Sequence, residues 1–241
     1  MIMPKITVSN VTYKYLTKDY EILALDNISL AIKPGINNVI VGPSGCGKTT
    51  LLKAILGVID YEGDIFFGDV NVNMKNAKDR KCSYVNQDIA LYPHLPIFNN
   101  IAFPLQLARF KEDEIRYRVN KISKEFGISQ CLSRLPREIS IGQAQRASIC
   151  KALVKSSDVY IFDEAFSNLD RPYTVLCLEK INKVITDPNV IKIFVMHDIS
   201  LALEIADEIF VMKDGKIITR SSPKEIIENS NPDVVELIKA K

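Results

Sequence analysis

One eight-residue stretch constrains the fold of this chain more than any other. Residues 42–49 read GPSGCGKT and fit the pattern G-x-x-x-x-G-K-[ST]. The apolar run Val39-Ile40-Val41 precedes them, and an apolar helical pattern follows over residues 50–56. A buried strand, a glycine-rich turn and a helix are therefore expected in that order, which is the context a phosphate-binding loop requires. We predict an α/β fold built around this junction.

The loop residues suit phosphate chemistry individually. Its three glycines, Gly42, Gly45 and Gly47, allow turns in which successive N–H groups face phosphate oxygens. A helix that begins near Lys48 adds its N-terminal partial charge, and the Lys48 ammonium adds a full charge for the β and γ phosphates. The hydroxyl of Thr49 suits Mg²⁺. The predicted nucleotide-binding segment also includes Pro43, Ser44, Cys46 and Thr50.

Composition sets limits on location and partners. The 241 residues carry 31 basic and 29 acidic side chains, so the net charge of +2 gives no reason to expect nucleic acid or an anionic membrane as the main partner. No run approaches the ~20 apolar residues of a membrane span, and residues 1–5 lead into a strand pattern without a signal peptide. We expect a soluble, cytoplasmic protein. Its five cysteines include no C-x-x-C pair, which argues against a disulfide framework or a zinc site. Cys46 alone lies where alkylation or oxidation would block the loop.

Alternating residues predict a second sheet beside the nucleotide core. Residues 5–11, 25–32 and 63–67 have strand patterns and are expected to pair as antiparallel strands. Three tyrosines, Tyr13, Tyr15 and Tyr20, are expected in a loop between the first two strands. A ring there would stack on adenine, a contact worth about 1 kcal/mol, or lie half-buried beside a strand, and composition alone leaves both readings open.

The middle of the chain reads as a helical subdomain, residues 88–155, inserted between core strands. Residues 111–126 place apolar side chains at helical spacing, and Ser140 is expected to cap the helix that follows it. A short strand over residues 82–85 precedes this subdomain and ends near Gln87. Residues 1–241 are otherwise predicted to form a single domain.

Acidic residues and a histidine follow the later strands. The apolar residues 159–162 end in Asp163-Glu164, and the apolar residues 190–196 end at His197. Because α/β sheets bind ligands at the carboxyl ends of their parallel strands, Asp163 suits a metal and Glu164 suits a base or water-positioning group. Further on, the sequence predicts a hairpin around Asp214-Gly215 and a final helix from Pro223.

The order of these motifs resembles the ATP-binding subunit of ABC transporters over nearly the whole chain. The phosphate loop at residues 42–49 corresponds to Walker A, and VYIFDE at residues 159–164 corresponds to Walker B. Gln87 resembles the Q-loop glutamine, ISIGQAQR at residues 139–146 the signature, and His197 the switch histidine. Residues 167–170, which end in Asp170, resemble the D-loop. The last three motifs separate this family from other NTPases.

This resemblance implies roles for particular residues. Tyr15 would be the adenine-stacking aromatic, Gln87 would touch the metal and the attacking water, and Glu164 would be the catalytic carboxylate. His197 would contact the γ phosphate. Ser140, Gly142 and Gln143 would complete the site of an opposite subunit, with Asp170 close to the nucleotide, because two such domains close head to tail around two ATP molecules in this family.

The resemblance also implies partners. With one set of motifs, the chain would need a second ATPase subunit, the same or a homologous chain, together with membrane permease subunits and an extracytoplasmic solute-binding protein. Residues 91–95, LYPHL, look most like importers of sugars and similar small solutes, which would place the chain at the inner face of the cell membrane. Sugar-importer subunits often carry an extra C-terminal regulatory domain, which is not expected in 241 residues.

Two departures from the family pattern concern the site. Ile141 stands where the signature has its first glycine, which puts a β-branched side chain near the partner's γ phosphate. An impaired composite site is expected if the backbone there needs glycine-like angles or if the contacts around the phosphate are tight. Ala165 replaces the usual proline after the acidic pair, with little expected effect.

Two other classes of function remain open from the sequence. A soluble ABC-type ATPase acting on nucleic acid or ribosomes would usually show a coiled-coil insertion or two ATPase units, and neither pattern is present. A phosphotransferase would explain the phosphate loop but not the signature, Asp170 or His197.

Overall fold

A computed structural model describes residues 5–16 and 20–239. Its contacts divide the chain into two compact units. The first consists of the described residues up to Cys82, of Asp158–Ile161 and of the described residues from Asp187 onward. The second consists of Ser83–Ser157 and Phe162–Thr186. The N-terminal stretch 1–4, where we expected no signal peptide, lies outside the described residues.

The first unit contains the predicted antiparallel sheet. Its strand order is β2-β1-β4-β5. The four strands are β1 (Ile6–Leu16), β2 (Glu21–Ile32), β4 (Glu62–Phe67) and β5 (Val70–Asn71). The prediction was wrong about Tyr13 and Tyr15, which lie in β1 rather than in a loop, because β1 continues past Val11 and pairs Tyr13 with Leu25 and Tyr15 with Ile22.

The loops that follow β3, β7 and β8 leave a mixed sheet whose strand order is β10-β9-β3-β8-β7-β6. Its strands are β3 (Asn37–Val41), β6 (Cys82–Val85), β7 (Val159–Asp163), β8 (Ile191–Met196), β9 (Glu208–Lys213) and β10 (Lys216–Ser221). Strand β3 pairs in parallel with β8 and β9, and β9 forms the predicted hairpin with β10. Strand β7 begins in the first unit and ends in the second. The α/β prediction is confirmed.

Among the described residues of the first unit, four segments form α-helices: α1 (Lys48–Leu56), α6 (Ile199–Ile205), α7 (Pro223–Ile227) and α8 (Pro232–Lys239). Apolar side chains of both sheets and of α1 form one buried cluster, which includes Leu25, Leu51 and Ile193. Pro223 begins α7 as predicted, with Ser222 accepting from Glu225 N as its N-cap. The single final helix was a wrong prediction, since α7 ends at Ile227 and α8 begins at Pro232.

The second unit is mainly helical, with α2 (Ile97–Leu107), α3 (Glu112–Glu125), α4 (Ile141–Leu153) and α5 (Arg171–Val184). The helix predicted over residues 111–126 is confirmed, and its apolar stripe, Ile115, Val119, Ile122 and Phe126, is buried. Helices α2, α3 and α4 lie within residues 88–155, but the compact unit also includes 162–186. The single domain with a helical insertion therefore stays a prediction.

Candidate functional site

The glycine-rich loop joins β3 to α1 as the motif predicts. Gly47 is the N-cap of α1 with φ 103°, a conformation that L side chains rarely adopt. A Cβ atom added to Gly47 would overlap the carbonyl oxygen of Ala24, and one added to Gly42 would overlap that of Met212. Glycine is thus required at both positions by the close approach of the neighbouring strands.

The Lys48 ammonium lies inside the loop. Its side chain is buried, and Nζ donates to the carbonyl oxygens of Gly42 at 2.8 Å and Pro43 at 2.9 Å. The loop thus surrounds this cation at the N-terminus of a nine-residue helix, where the helix dipole adds further positive potential. An anion is the complementary ligand.

The remaining loop residues divide between surface and interior. Pro43, Ser44, Gly45 and Thr49 are exposed, whereas Thr50 is buried. Cys46 is also buried, with Sγ 4.0 Å from Lys48 Nζ, and burial raises the pKa of its thiol. Cys46 is therefore a weak nucleophile at neutral pH.

Among the three tyrosines, Tyr15 has a direct contact with the helix that follows the loop. Its hydroxyl lies 3.1 Å from Thr50 Oγ1, and its ring meets the Tyr13 ring edge to face at 4.9 Å. Tyr13 packs against the apolar cluster, and Tyr20 is 60% exposed. The geometry favours Tyr15 for adenine stacking, and this role stays a prediction.

Strand pairing brings His197 to the same edge as the loop. Val41 is the parallel partner of Met196, so that Gly42 and His197 leave neighbouring strands at the same level. His197 is exposed, and Asp198 beside it caps α6 by accepting from Ser200 N and Leu201 N. The first unit thus brings together the loop, Tyr15 and His197.

The acidic pair of the second unit lies at the end of β7. Asp163 is only 3% exposed and accepts a 2.9 Å hydrogen bond from the hydroxyl of Tyr84. Burial and the neighbouring Asp163 carboxylate raise the pKa of Tyr84, which keeps the phenol protonated as a donor. Glu164 adopts φ 49°, which turns the chain sharply after the strand. Gln87 is exposed and lies three residues beyond Tyr84.

The signature segment forms the start of α4. Ser140 is its N-cap and forms a reciprocal capping box with Gln143, as predicted from the serine. Ile141 is the first helical residue, it does not have positive φ, and its side chain is 64% exposed. The concern that this position needs glycine-like angles is thereby removed for this backbone. Gly142 lies against Leu169, since a Cβ atom added to Gly142 would lie 3.4 Å from Cδ2 of Leu169.

Sequence reasoning missed two long-range polar links in this unit, those made by Gln145 and by Tyr84. Gln145 Nε2 donates to the carbonyl oxygen of Ala165 at 2.5 Å, and Asn168 Nδ2 donates to Gln145 Oε1 at 3.3 Å. Gln145 therefore ties α4 to the segment after Glu164, in which Asp170 caps α5 by accepting from Tyr173 N. The other missed link is Tyr84 to Asp163. No local pattern marks either pair, since the partners are 20 and 79 positions apart.

The described residues contain neither a ready-made metal cluster nor a membrane-spanning helix. Over residues 5–16 and 20–239 no group of three or more His, Cys, Asp or Glu side chains is arranged to hold a metal ion. None of the helices described there combines the length and apolar character needed to cross a membrane.

Comparisons with known proteins agree with the motifs. The model of the ABC transporter family matches residues 25–167. The osmoprotective compounds uptake ATP-binding protein GgtA of Synechocystis sp. is 39% identical over 90% of this chain and 61% of its own length. The oligosaccharides import ATP-binding protein MsmX of Bacillus subtilis is 39% identical over 85% of this chain and 56% of its own. The chain thus spans about three fifths of the length of these curated relatives.

Solved structures show the same fold. An ATP-binding cassette solved as a dimer in a post-hydrolysis state with ADP and Pi superposes with a TM-score of 0.83. It is 26% identical, and the match covers 90% of this chain and 98% of that one.

Proposed function

Because this chain belongs to the ABC transporter family, we propose that it binds and hydrolyses ATP in a head-to-tail pair of subunits and so powers solute transport across a membrane. The observation that carries this proposal is the loop of residues 42–49, which encloses the Lys48 ammonium at the N-terminus of α1. A buried lysine ammonium at a helix N-terminus, held by the carbonyl oxygens of Gly42 and Pro43, supplies the positive charge that suits the polyphosphate of a nucleotide.

ATP would be held by side chains of the first unit. The Lys48 ammonium would exchange its bonds to the Gly42 and Pro43 carbonyls for bonds to the β and γ phosphates. Tyr15 is 36% exposed, its hydroxyl lies within hydrogen-bond distance of Thr50 Oγ1, and its ring would stack on adenine. His197, at the same sheet edge as the loop, would contact the γ phosphate.

The available donors suit Mg²⁺ brought in with ATP. Thr49, Asp163 and Gln87 would provide the oxygen ligands, and no group of three or more His, Cys, Asp or Glu side chains among the described residues is arranged to hold a metal by itself. A metal held by one carboxylate plus phosphates is the usual arrangement for Mg²⁺. When bound, it offsets charge on the phosphate oxygens.

Hydrolysis requires a group that accepts a proton from the attacking water. We assign this role to Glu164, which directly follows the buried Asp163 and is itself only partly exposed. Gln87 would help to orient the same water. His197 would hydrogen-bond to the γ phosphate while the bond between the γ phosphorus and the bridging oxygen of the β phosphate breaks.

A second copy, identical or homologous, would complete each site. Ser140, Gly142 and Gln143 lie at the N-terminus of α4, where N–H groups and the helix dipole favour the γ phosphate of a facing subunit. Asp170, the N-cap of α5, would lie close to the nucleotide. ATP would drive closure only by binding the closed pair more tightly than the open pair, and its hydrolysis would let the pair reopen.

For the transported solute, we propose import of a sugar or a similar small molecule. The names of MsmX and of GlcV, a glucose import ATP-binding protein of Saccharolobus solfataricus that is 37% identical, support this class. The partners would be integral membrane permease subunits and an extracytoplasmic solute-binding protein. The chain would then act in the cytoplasm, on the inner face of the membrane.

The decisive experiment is Glu164→Gln. We expect ATP binding to be kept while hydrolysis slows by about 10²-fold or more, as loss of a general base should do. With Mg²⁺ and ATP the variant should elute as a dimer, whereas the parent should not accumulate in that state. Glu179→Gln, on the exposed face of α5, is the matched control and should hydrolyse ATP normally. Near-normal hydrolysis by Glu164→Gln would remove the assigned base.

A second experiment addresses the partners. A tagged chain purified from detergent-solubilised membranes should bring integral membrane proteins with it. Recovery of ribosomes or nucleic acid instead would favour the alternative function, a soluble ABC-type ATPase that acts on nucleic acid or ribosomes.

A further inference from the structure

A tyrosine on the strand that leads to Gln87 reaches the carboxylate at the end of β7. Tyr84 lies in β6, the neighbour of β7 in the sheet, and its hydroxyl donates to Asp163 Oδ2 at 2.9 Å. We propose that Tyr84 is a positioning residue for Asp163, and that this hydrogen bond sets how firmly the carboxylate holds the Mg²⁺ that accompanies ATP. The inference rests on the proposed function and goes beyond the family's motifs.

The position of Tyr84 is fixed by its two neighbours. Ser83 Oγ lies 2.7 Å from Ser157 Oγ, and Val85 is 2% exposed. Side chains on both sides of Tyr84 are therefore anchored, one by a hydrogen bond and one by packing. Tyr84 is 36% exposed, but its hydroxyl donates to the carboxylate of Asp163, a residue that is only 3% exposed.

The direction of the effect follows from the geometry of a carboxylate. A donor bound to Oδ2 restricts rotation of the group and leaves Oδ1 with a defined direction. Partners of this kind orient metal ligands, and their removal typically costs about 10- to 100-fold in metal affinity or activity. Water replaces the lost donor poorly where the carboxylate is buried. Phenylalanine at position 84 would preserve the ring and remove only the donor.

The binding of ATP without metal should not depend on this hydroxyl. Tyr84 bonds to a carboxylate of the protein, and the groups assigned to the phosphates and adenine, Lys48 and Tyr15, have other hydrogen-bond partners. The proposal thus predicts a loss confined to the Mg²⁺-dependent part of nucleotide affinity.

The test is Tyr84→Phe in a Glu164→Gln background, which removes turnover from the measurement. ATP affinity is measured by calorimetry at saturating Mg²⁺ and again in excess EDTA. We expect the gain in affinity from Mg²⁺ to fall by about tenfold in Tyr84→Phe and the affinity in EDTA to stay the same. Tyr117→Phe is the matched control, because Tyr117 lies in α3 and is 61% exposed. Its Mg²⁺ gain should equal that of the parent.

A double-mutant cycle makes the assignment specific. Asp163→Asn should itself reduce the Mg²⁺ gain, and adding Tyr84→Phe to it should reduce the gain no further. An unchanged Mg²⁺ gain in Tyr84→Phe, or an equal loss with and without metal, would overturn the positioning role. If Mg²⁺ does not change the ATP affinity of the Glu164→Gln protein with Tyr84 intact, the assignment of Asp163 as a metal ligand is overturned. This result is separate from any effect of substituting Tyr84.

A measurement without substitution at Tyr84 covers the case in which Tyr84→Phe does not fold. Adding Mg²⁺ to ATP-loaded Glu164→Gln protein should shift the ultraviolet difference spectrum of tyrosine, because the acceptor of the Tyr84 hydroxyl becomes a metal ligand. The shift should disappear in Asp163→Asn. A shift that survives in Asp163→Asn, or no shift at all, would contradict the proposal.

Discussion

Arg80 offers a sharp test of how the helix after the phosphate loop is held. Arg80 is 3% exposed, and its Nη1 donates to the carbonyl oxygens of Ala54 at 2.8 Å and Ile55 at 2.9 Å, at the C-terminal end of α1. Nε donates to Lys75 O at 3.1 Å. A Cβ on Gly57 would overlap the guanidinium, so the group fills the space beside the helix end.

The cost of Arg80→Met can be worked from these contacts. Hydrogen bonds from a charged donor contribute about 1.5–3 kcal/mol each, so the two short bonds to α1 contribute about 3 kcal/mol at the lower value. We use the lower value because burial of the charge offsets part of the gain. For a chain of this size, 1 kcal/mol shifts Tm by about 2–4 °C, which gives a fall of roughly 6–12 °C.

The assay is thermal unfolding followed by circular dichroism, with urea unfolding for the free energy. Lys78→Met is the matched control, since Lys78 is an exposed cation on the same short 3₁₀ turn, Ala77–Arg80. Its Tm should stay within about 1–2 °C of the parent, as for most surface changes. A loss below about 0.5 kcal/mol in Arg80→Met would refute the view that this guanidinium secures the end of α1.

Two further predictions concern the site. Ile141→Gly should raise the steady-state ATPase rate, because the exposed isoleucine places a bulky side chain where the family signature has glycine. An unchanged or lower rate would show either that the site already accommodates isoleucine or that this chain pairs with a different ATPase subunit. Cys46, whose pKa is raised by burial, should react with iodoacetamide at pH 7.5 at least about tenfold more slowly than free glutathione, because little thiolate is present. Mass spectrometry of timed samples measures this rate, and labelling of Cys46 as fast as glutathione would contradict its burial.

Local patterns predicted the elements whose residues interact within a few positions. The G-x-x-x-x-G-K-[ST] motif located the junction of β3 and α1, and Ser140 located the start of α4 through its own capping bond to Gln143. The apolar stripe of α3 was also predicted, because the helical spacing of its apolar side chains lies within one continuous segment. These features need no knowledge of distant segments.

Strand length was less predictable. The alternation in β1 changes phase between Val8 and Val11, where the pairing register also shifts, so the pattern predicts a strand that ends at Val11 and places Tyr13 and Tyr15 in a loop. They are held in the strand by pairing with Leu25 and Ile22 of β2. Register with a partner strand, rather than the propensity of the segment, decided that Tyr15 faces Thr50.

The amino-acid sequence by itself determined the chemistry of the loop, because closely spaced glycines, a lysine and a threonine are enough to surround phosphate oxygens once a strand and a helix flank them. Only the tertiary structure decided which polar groups from distant parts of the chain meet one another. The hydroxyl of Tyr84 meets Asp163 across 79 positions, and Arg80 meets Ala54 across 26. Such contacts depend on how whole strands and helices pack, and a buried polar group takes whichever partner that packing brings within hydrogen-bond distance.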